Sequence, residues 1–370
     1  MVTMSLLDNQ TNPISVRCTT QSARDGVTAA KDIPPVADHD NWGQTPQIAD
    51  GANIRFIFGM ARSGTSWLGK IFDSHPDVIY RHEPDIVLRE TQFLTSAGAG
   101  EGRSLHDRTR MYLQALSDVR TLKSAGSVPI FPKNYQIPPA RHFRLAIVYG
   151  LRMAEQLAPQ LQWPQHVQLP DLKKKQYEAE PTFVIKSVSS CGRARAFMEA
   201  LPGCRTIFII RHPCGQVASM LRGIALGKFS SAVIYPSLEG RAKALGLTTS
   251  KYESLPLIDR LAWHWAILNQ NALDELTGMP RVKVIRYRDL CASPLDVAQD
   301  VFEFAGISWQ PQIAAFIEKS THYHGPDRYY TVLKNSIISL NRWRTELSLE
   351  DQRRIIDIAR QVPAGGMFLD

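Results

Sequence analysis

Cysteine is scarce and unpatterned: the 370 residues hold five, Cys18, Cys191, Cys204, Cys214 and Cys291, with no C-x-x-C pair. An odd count without close pairs argues against a disulfide framework and for a reducing compartment. No apolar run approaches the ~18 residues of a membrane-spanning helix. The start of the chain, from Met1-Val2-Thr3-Met4-Ser5, has no basic segment leading into an apolar one. A cytoplasmic protein without a transmembrane segment is the expectation. Internal repeats and low-complexity tracts are also missing. Acidic residues fall short of basic ones, 35 against 43, for a net charge of +8. An anionic ligand follows, although such a balance does not separate nucleic acid, membrane and nucleotide. The interleaved aromatic and basic residues of single-strand binders are absent, so nucleic acid is not an expected partner.

One further absence is more specific. The apolar run Ile54, Phe56, Ile57, Phe58 reads as a buried strand that stops at Gly59. A polar loop with Arg62, Ser63 and Gly64 then enters a helical pattern at Thr65. Strand, loop and helix N-terminus in this order converge backbone N–H groups and the positive end of a helix dipole on one point, which suits an anion. The Gly59-x4-Gly64 spacing is that of a Walker A loop, but Thr65 stands where that motif carries its lysine. The positive charge sits instead on Arg62. The loop therefore reads as a phosphate cradle built for something other than ordinary ATP or GTP hydrolysis.

Residues 1–50 are polar and read as a flexible arm, and residues 51–370 as a single domain. Within it, strands are expected at Val78-Ile79-Tyr80, Phe183–Lys186, Thr206–Arg211 and Val282–Tyr287. Helices are expected near Arg193–Leu201, Leu257–Leu276, from Ser293-Pro294 to Phe304, and at Leu349–Gln361. Apolar strands alternating with helices indicate an α/β, P-loop-type three-layer fold with a central parallel sheet flanked by helices. Residues 86–180 have helical pieces around Leu105–Leu122 and Phe143–Leu157, broken by prolines including Pro138-Pro139. With too little β character to extend a sheet, this stretch is the candidate inserted acceptor-binding and lid region. Its Lys173-Lys174-Lys175 run reads as a solvated loop.

A second constellation lies in Ile209-Ile210-Arg211-His212-Pro213-Cys214-Gly215-Gln216-Val217-Ala218-Ser219. A strand ends near Arg211, and the following helix carries Ser219. In an open parallel sheet, Arg211 shares the carboxyl edge with the phosphate loop. Arg211 and Ser219 are thus placed to clamp a second phosphate, some distance from the first.

The pair R-S-G-T-S-W-L and I-I-R-H-P-x-x-x-x-A-S resembles the sulfotransferases that use 3′-phosphoadenosine 5′-phosphosulfate (PAPS), from about Ile54 to Arg360. The resemblance implies that Arg62, Ser63, Gly64, Thr65, Ser66 and Trp67 hold the 5′-phosphosulfate. It implies that Arg211 and Ser219 hold the 3′-phosphate, and that adenosine 3′,5′-bisphosphate (PAP) is the product. A third match runs from Leu333-Lys334-Asn335-Ser336 to Asn341-Arg342-Trp343-Arg344, and is similar to the family segment that closes over the nucleotide. It adds Lys334, Asn335, Ser336, Trp343 and Arg344 to the cofactor residues. The missing Walker lysine, and the lack of a clear metal-binding aspartate after an apolar strand, fit a reaction without metal.

The same resemblance leaves the base open between Glu83 and His82. Lys186 matches the lysine that ends a strand in the phenol- and steroid-acting branch, but Val188 stands where that branch has its histidine. His82-Glu83-Pro84 instead resembles the carbohydrate-acting branch, in which a glutamate is the candidate base. The catalytic set is therefore Glu83, Arg62 and Lys186, with His82 the rival base. The expected reaction moves a sulfuryl group from PAPS to a free hydroxyl of a sugar, glycolipid or similar acceptor. A P-loop kinase and a non-catalytic nucleotide or nucleic-acid binder are the alternatives.

Overall fold

The computed structural model describes residues 50–88, 102–158, 167–171, 173–174, 180–229, 239–323, 329, 332–333 and 335–368. The expected N-terminal arm and Lys175 lie outside them. Five strands form one sheet: β1 (Ile54–Phe58), β2 (Val78–His82), β3 (Thr182–Ser187), β4 (Arg205–Ile210) and β5 (Val282–Arg286). All pairs are parallel, in the order β2-β3-β1-β4-β5.

Alternate side chains feed the two faces, as the period-2 geometry of a strand requires. Phe56, Phe58, Ile185, Phe208 and Ile210 pack on one side against Phe197 and Trp265. Those helices, Ala194–Ala200 and Leu257–Leu276, lie close to the expected spans. Ile57, Val184, Ile207 and Ile209 pack on the other side against Leu68, Phe72 and Phe302, from the helices Thr65–Asp73 and Pro294–Ala305. Central strands buried on both faces explain the near-continuous apolar runs.

Among its described residues the inserted region adds no strand to the sheet and makes two isolated bridges, Thr121 with Gln168 and Gln136 with Lys173. Lys173 and Lys174 are exposed, and the Lys174 N–H bonds Tyr135 O at 2.8 Å. The region's helices correct the expected ones. The first is Gly102–Asp118, and a separate turn starts at Leu122, capped by the Thr121 hydroxyl. The second begins at Pro138 rather than near Phe143. Pro138-Pro139 starts this helix instead of breaking it, because first-turn N–H groups need no intrahelical acceptor. Ser293, which precedes the helix Pro294–Ala305, makes no side-chain cap bond to it.

The region is fastened to edge strand β2 through a buried guanidinium. Arg81 donates to Ser117 O at 2.8 Å and pairs with Asp171 at 2.9 Å. Among the described residues, no helix is long and apolar enough to cross a membrane.

Candidate functional site

Every strand delivers a polar residue to one edge of the sheet. The loop after β1 turns through Arg62 and Gly64, whose φ angles are +73° and +97°. Gly64 is the N-cap of Thr65–Asp73 and supplies no side-chain cap. The Thr65 and Ser66 N–H groups at its start lack intrahelical acceptors, while the Trp67 N–H reaches Gly64 O at 3.1 Å. A Cβ on Gly64 would lie 2.3 Å from the Tyr287 ring, so only glycine lets the loop approach that residue. Ser63 is buried, and its Oγ has no hydrogen-bond partner. Two helices brace the loop: Gln216 Nε2 donates to Ala61 O at 2.9 Å, and Asn269 Nδ2 lies 3.0 Å from Met60 Sδ.

The second constellation lies against the first, not at a distance from it. Arg62 Nε donates to Ser219 Oγ at 3.0 Å, so one guanidinium spans the two expected anion sites. Arg211 follows β4 and is buried; it donates to Arg62 O at 3.0 Å and to Ser339 O at 2.9 Å, leaving Nε without a partner. Burial lowers its pKa, while Tyr287, 4.7 Å below the guanidinium, counters that shift. On the outer side, the Arg62 guanidinium lies 4.2 Å from the Tyr329 ring centre, and the Tyr329 hydroxyl donates to Ser219 O at 2.8 Å.

The remaining cofactor candidates separate into three groups. Thr65 and Ser66 open the helix beside Gly64. The Trp67 side chain does not face the loop: it is buried in the apolar layer and donates to Ser320 Oγ at 3.0 Å. Of the tail segment's described residues, Ser339 reaches the site through its backbone carbonyl, which Arg211 holds. Asn335 caps the helix Ser336–Asn341, and buried Ser336 contacts Cys291 O at 3.4 Å. Trp343 is buried and stacks on His212 with ring centres 4.6 Å apart, while Arg344 lies over the Trp343 ring. Lys334 lies outside the described residues.

Glu83 and Lys186 meet at the other end of the same edge. Glu83 takes a left-handed conformation, φ 48° and ψ 51°, as N-cap of the short helix Pro84–Val87. Its N–H donates to Lys186 O at 2.7 Å, extending the β2–β3 ladder in which His82 faces Lys186. Its Oε1 accepts from the Lys186 ammonium, and Lys123 of the inserted region lies 3.4 Å from Oε2. Burial pushes the Glu83 carboxyl up, but Lys186, His82 and Lys123 outweigh it and hold it at about 2. Burial lowers Lys186 despite the facing carboxylate.

His82 Nδ1 lies 3.0 Å from the Tyr80 hydroxyl. Burial keeps that phenol protonated, far above its usual range, and the direction of this bond follows the imidazole tautomer. His82 Nε2 lies 3.9 Å from Glu83 Oε1. Burial and then Lys186 hold the imidazole at about 3, so it is neutral at physiological pH.

Sequence reasoning missed Tyr287, Tyr329 and Lys123. Tyr287 was within reach, since it directly follows β5 and belongs to the carboxyl edge. The other two arrive from distant segments without a periodic or motif signal.

The profile of the Sulfotransferase family matches residues 55–311. Human carbohydrate sulfotransferase 2 is 21% identical over 359 residues, 86% of this chain and 65% of that protein. Mouse carbohydrate sulfotransferase 3 is 23% identical over 377 residues, 93% of this chain and 73% of that protein. Among solved structures, mouse SULT7A1 complexed with PAP aligns at a TM-score of 0.41 and 10% identity, over 85% of this chain and 88% of that one. The chain spans about two thirds of the length of carbohydrate sulfotransferase 2. With the profile taking in more than half of its residues, this chain belongs to the sulfotransferase family.

Proposed function

We propose that the protein transfers a sulfuryl group from PAPS to a hydroxyl of a carbohydrate or glycoconjugate. One observation carries this reading: two buried polar atoms without partners, Ser63 Oγ and Arg211 Nε, belong to the two anion-binding elements of one sheet edge. A nucleotide with anionic groups on both sides of its ribose satisfies both, and a nucleotide with one anionic end does not.

In this reading the loop Arg62–Ser66 holds the 5′-phosphosulfate, and Arg211 with Ser219 holds the 3′-phosphate. PAPS supplies an activated sulfuryl group on a phosphate leaving group. Arg62, with the first-turn N–H groups, stabilises the negative charge that collects on the departing phosphate oxygen. The inserted region holds the acceptor and makes the single domain's lid. Glu83 accepts the hydroxyl proton, with His82 the rival base beside it. A carboxylate held near 2 is always ionised but weakly basic. Turning Lys186 from Glu83 toward the transferring group restores basicity at the moment it is needed.

The test is transfer of label from PAPS to a panel of chitotetraose, desulfated chondroitin, a neutral glycolipid and 4-nitrophenol. Label on a carbohydrate member is expected, together with release of PAP. Label from ATP but not from PAPS would replace this reading with the kinase one.

A further inference from the structure

The two oxygens of Glu83 have different surroundings. Oε1 accepts from Lys186, whose side chain is 2% exposed, and lies 3.9 Å from His82 Nε2. Oε2 faces Lys123, whose side chain is 47% exposed. An acceptor arriving from solvent therefore meets Oε2, with Lys123 in front of it. At 3.4 Å the Lys123 ammonium stands farther from Oε2 than the usual length of a charge-assisted hydrogen bond. The contact is a loose ion pair that a hydroxyl can replace.

A half-exposed ion pair is ordinarily an accident of the surface and contributes little. Here the backbone beneath it is fixed. Lys123 lies in the turn Leu122–Ala125, which the Thr121 hydroxyl caps and whose Leu122 is buried with Val148, Leu151 and Leu169. Just beyond the turn, Lys70 of the phosphate-loop helix donates to Ser127 O at 2.6 Å and to Pro129 O at 3.0 Å. Arg144 donates to Ala125 O at 2.8 Å, and Arg152 to Gly126 O at 2.6 Å. These three cations tie the stretch to the helices Thr65–Asp73 and Pro138–Leu157. The fold thus holds the backbone of Lys123 at the base and leaves its flexible four-carbon stem able to swing.

Charge gives that swing a consequence. With His82 neutral, two ammonium groups share the one Glu83 carboxylate. In the transfer step the acceptor O–H bond breaks and its proton passes to a Glu83 oxygen. The hydroxyl oxygen bonds to sulfur, and the S–O bond to the 5′-phosphate breaks with its electron pair on the phosphate. Glu83 is then neutral, and two like charges would be left facing it. Lys186 is buried and has no path to water, whereas Lys123 already stands half in solvent.

We propose that Lys123 gates the base: it covers Glu83 Oε2 until an acceptor hydroxyl displaces it, and Oε2 then takes the proton. This rests on Glu83 being the base. Lys123 gains and loses no proton; it acts through Glu83 and is a positioning residue. While no acceptor is bound, the covered oxygen is closed to water. Uncovered, it would take a proton from a water that attacks sulfur, and the S–O bond to the 5′-phosphate would break to give inorganic sulfate and PAP.

The test uses the full chain and PAPS labelled in its sulfuryl group, with no acceptor present. Lys123→Met keeps the apolar stem and removes the charge. Release of labelled sulfate should rise about 1.5–5-fold, the range of a half-exposed ion pair, with PAP affinity unchanged. Lys123→Arg keeps the charge and should restore the low rate. A gain is the informative sign, because damage to the fold would lower the rate instead. With a carbohydrate acceptor, KM should fall in Lys123→Met by a similar factor while kcat changes less. Unchanged hydrolysis in Lys123→Met, or a rise that Lys123→Arg shares, overturns the gate and leaves the base to be judged from Glu83→Gln alone. Adding Glu83→Gln to Lys123→Met should abolish the extra hydrolysis. Extra hydrolysis that survives this change would remove Glu83 as the base, and the gate with it.

Discussion

The two ends of the carboxyl edge solve the handling of charge in opposite ways. Around β1 and β4, Arg211 is held by the carbonyls of Arg62 and Ser339 and Arg62 donates to the Ser219 hydroxyl, whereas Arg286 at the end of β5 pairs with Asp289 at 2.7 Å. Among the described residues no acidic side chain pairs with Arg211, so its charge stays ready for an anion. Around β2 and β3 the positive groups are already matched, Lys186 and Lys123 by Glu83, and Arg81 by Asp171. The first arrangement binds; the second keeps charge balanced until a proton moves. A buried cation with neutral partners favours an incoming anion, whereas an ion pair must be opened before either partner can act.

The comparison breaks most sharply at Glu83. Glu83→Gln keeps the shape and removes the proton acceptor, so turnover should fall by about 10²–10⁴-fold while PAP binding barely moves. His82→Ala is the internal control. Near-normal turnover in Glu83→Gln with loss in His82→Ala would transfer the base to His82.

At the other end, Arg211→Ala should remove the preference for PAP over AMP. A charge-assisted contact is worth roughly 1.5–3 kcal/mol, or about 10–150-fold in affinity. Calorimetry with both nucleotides measures it, and equal affinities in the unaltered protein would remove the 3′-phosphate assignment.

Gly64→Ala probes the loop between these ends. At φ +97°, with Tyr287 in the way, the added methyl should cost about 1–3 kcal/mol. Urea titration should report that loss together with weaker PAP binding. An unchanged midpoint and affinity would mean that the loop relaxes freely.

The pH effect of His82 is read as a slope. Its pKa drops from the ordinary 6.5 to about 3 in the folded chain, so the unfolded chain binds more protons between those values. Stability is therefore full above about 6.5 and declines as pH falls toward 3, by up to about 1.4 kcal/mol per pH unit for this group. The Glu83 carboxyl, lowered from 4.5 to about 2, adds its own loss only below about 4.5. His82→Asn should flatten the slope between pH 6.5 and 4.5 by up to one proton's worth. An unaltered slope would mean that His82 is not buried neutral.

Expected to be null is the removal of metal: transfer should persist in EDTA, and dependence on added magnesium would favour the kinase reading.

What the sequence by itself determined is the frame: five apolar strands in near-correct positions, a parallel sheet, the loop at Gly59–Gly64 and the arginine after β4. These are local signals, since strand burial, glycine at positive φ and a strand's carboxyl end can all be read within a few residues. Side-chain direction was not legible in the same way. Trp67 belongs to the motif that reads as nucleotide-binding, yet it faces the apolar layer, because position three of a helix packed on a sheet points inward there. Trp343 likewise stacks on His212.

Only the tertiary structure decided that Arg62 bridges to Ser219, 157 positions away, and that Lys123 reaches Glu83 from the inserted region. It also decided that Glu83 and Lys186, 103 residues apart, share one buried ion pair. Charge pairing inside a fold depends on which strands become neighbours. The order β2-β3-β1-β4-β5 sets β2 beside β3 and separates both from the arginine after β4. That adjacency comes from long-range packing, which a residue's immediate sequence neighbours do not encode.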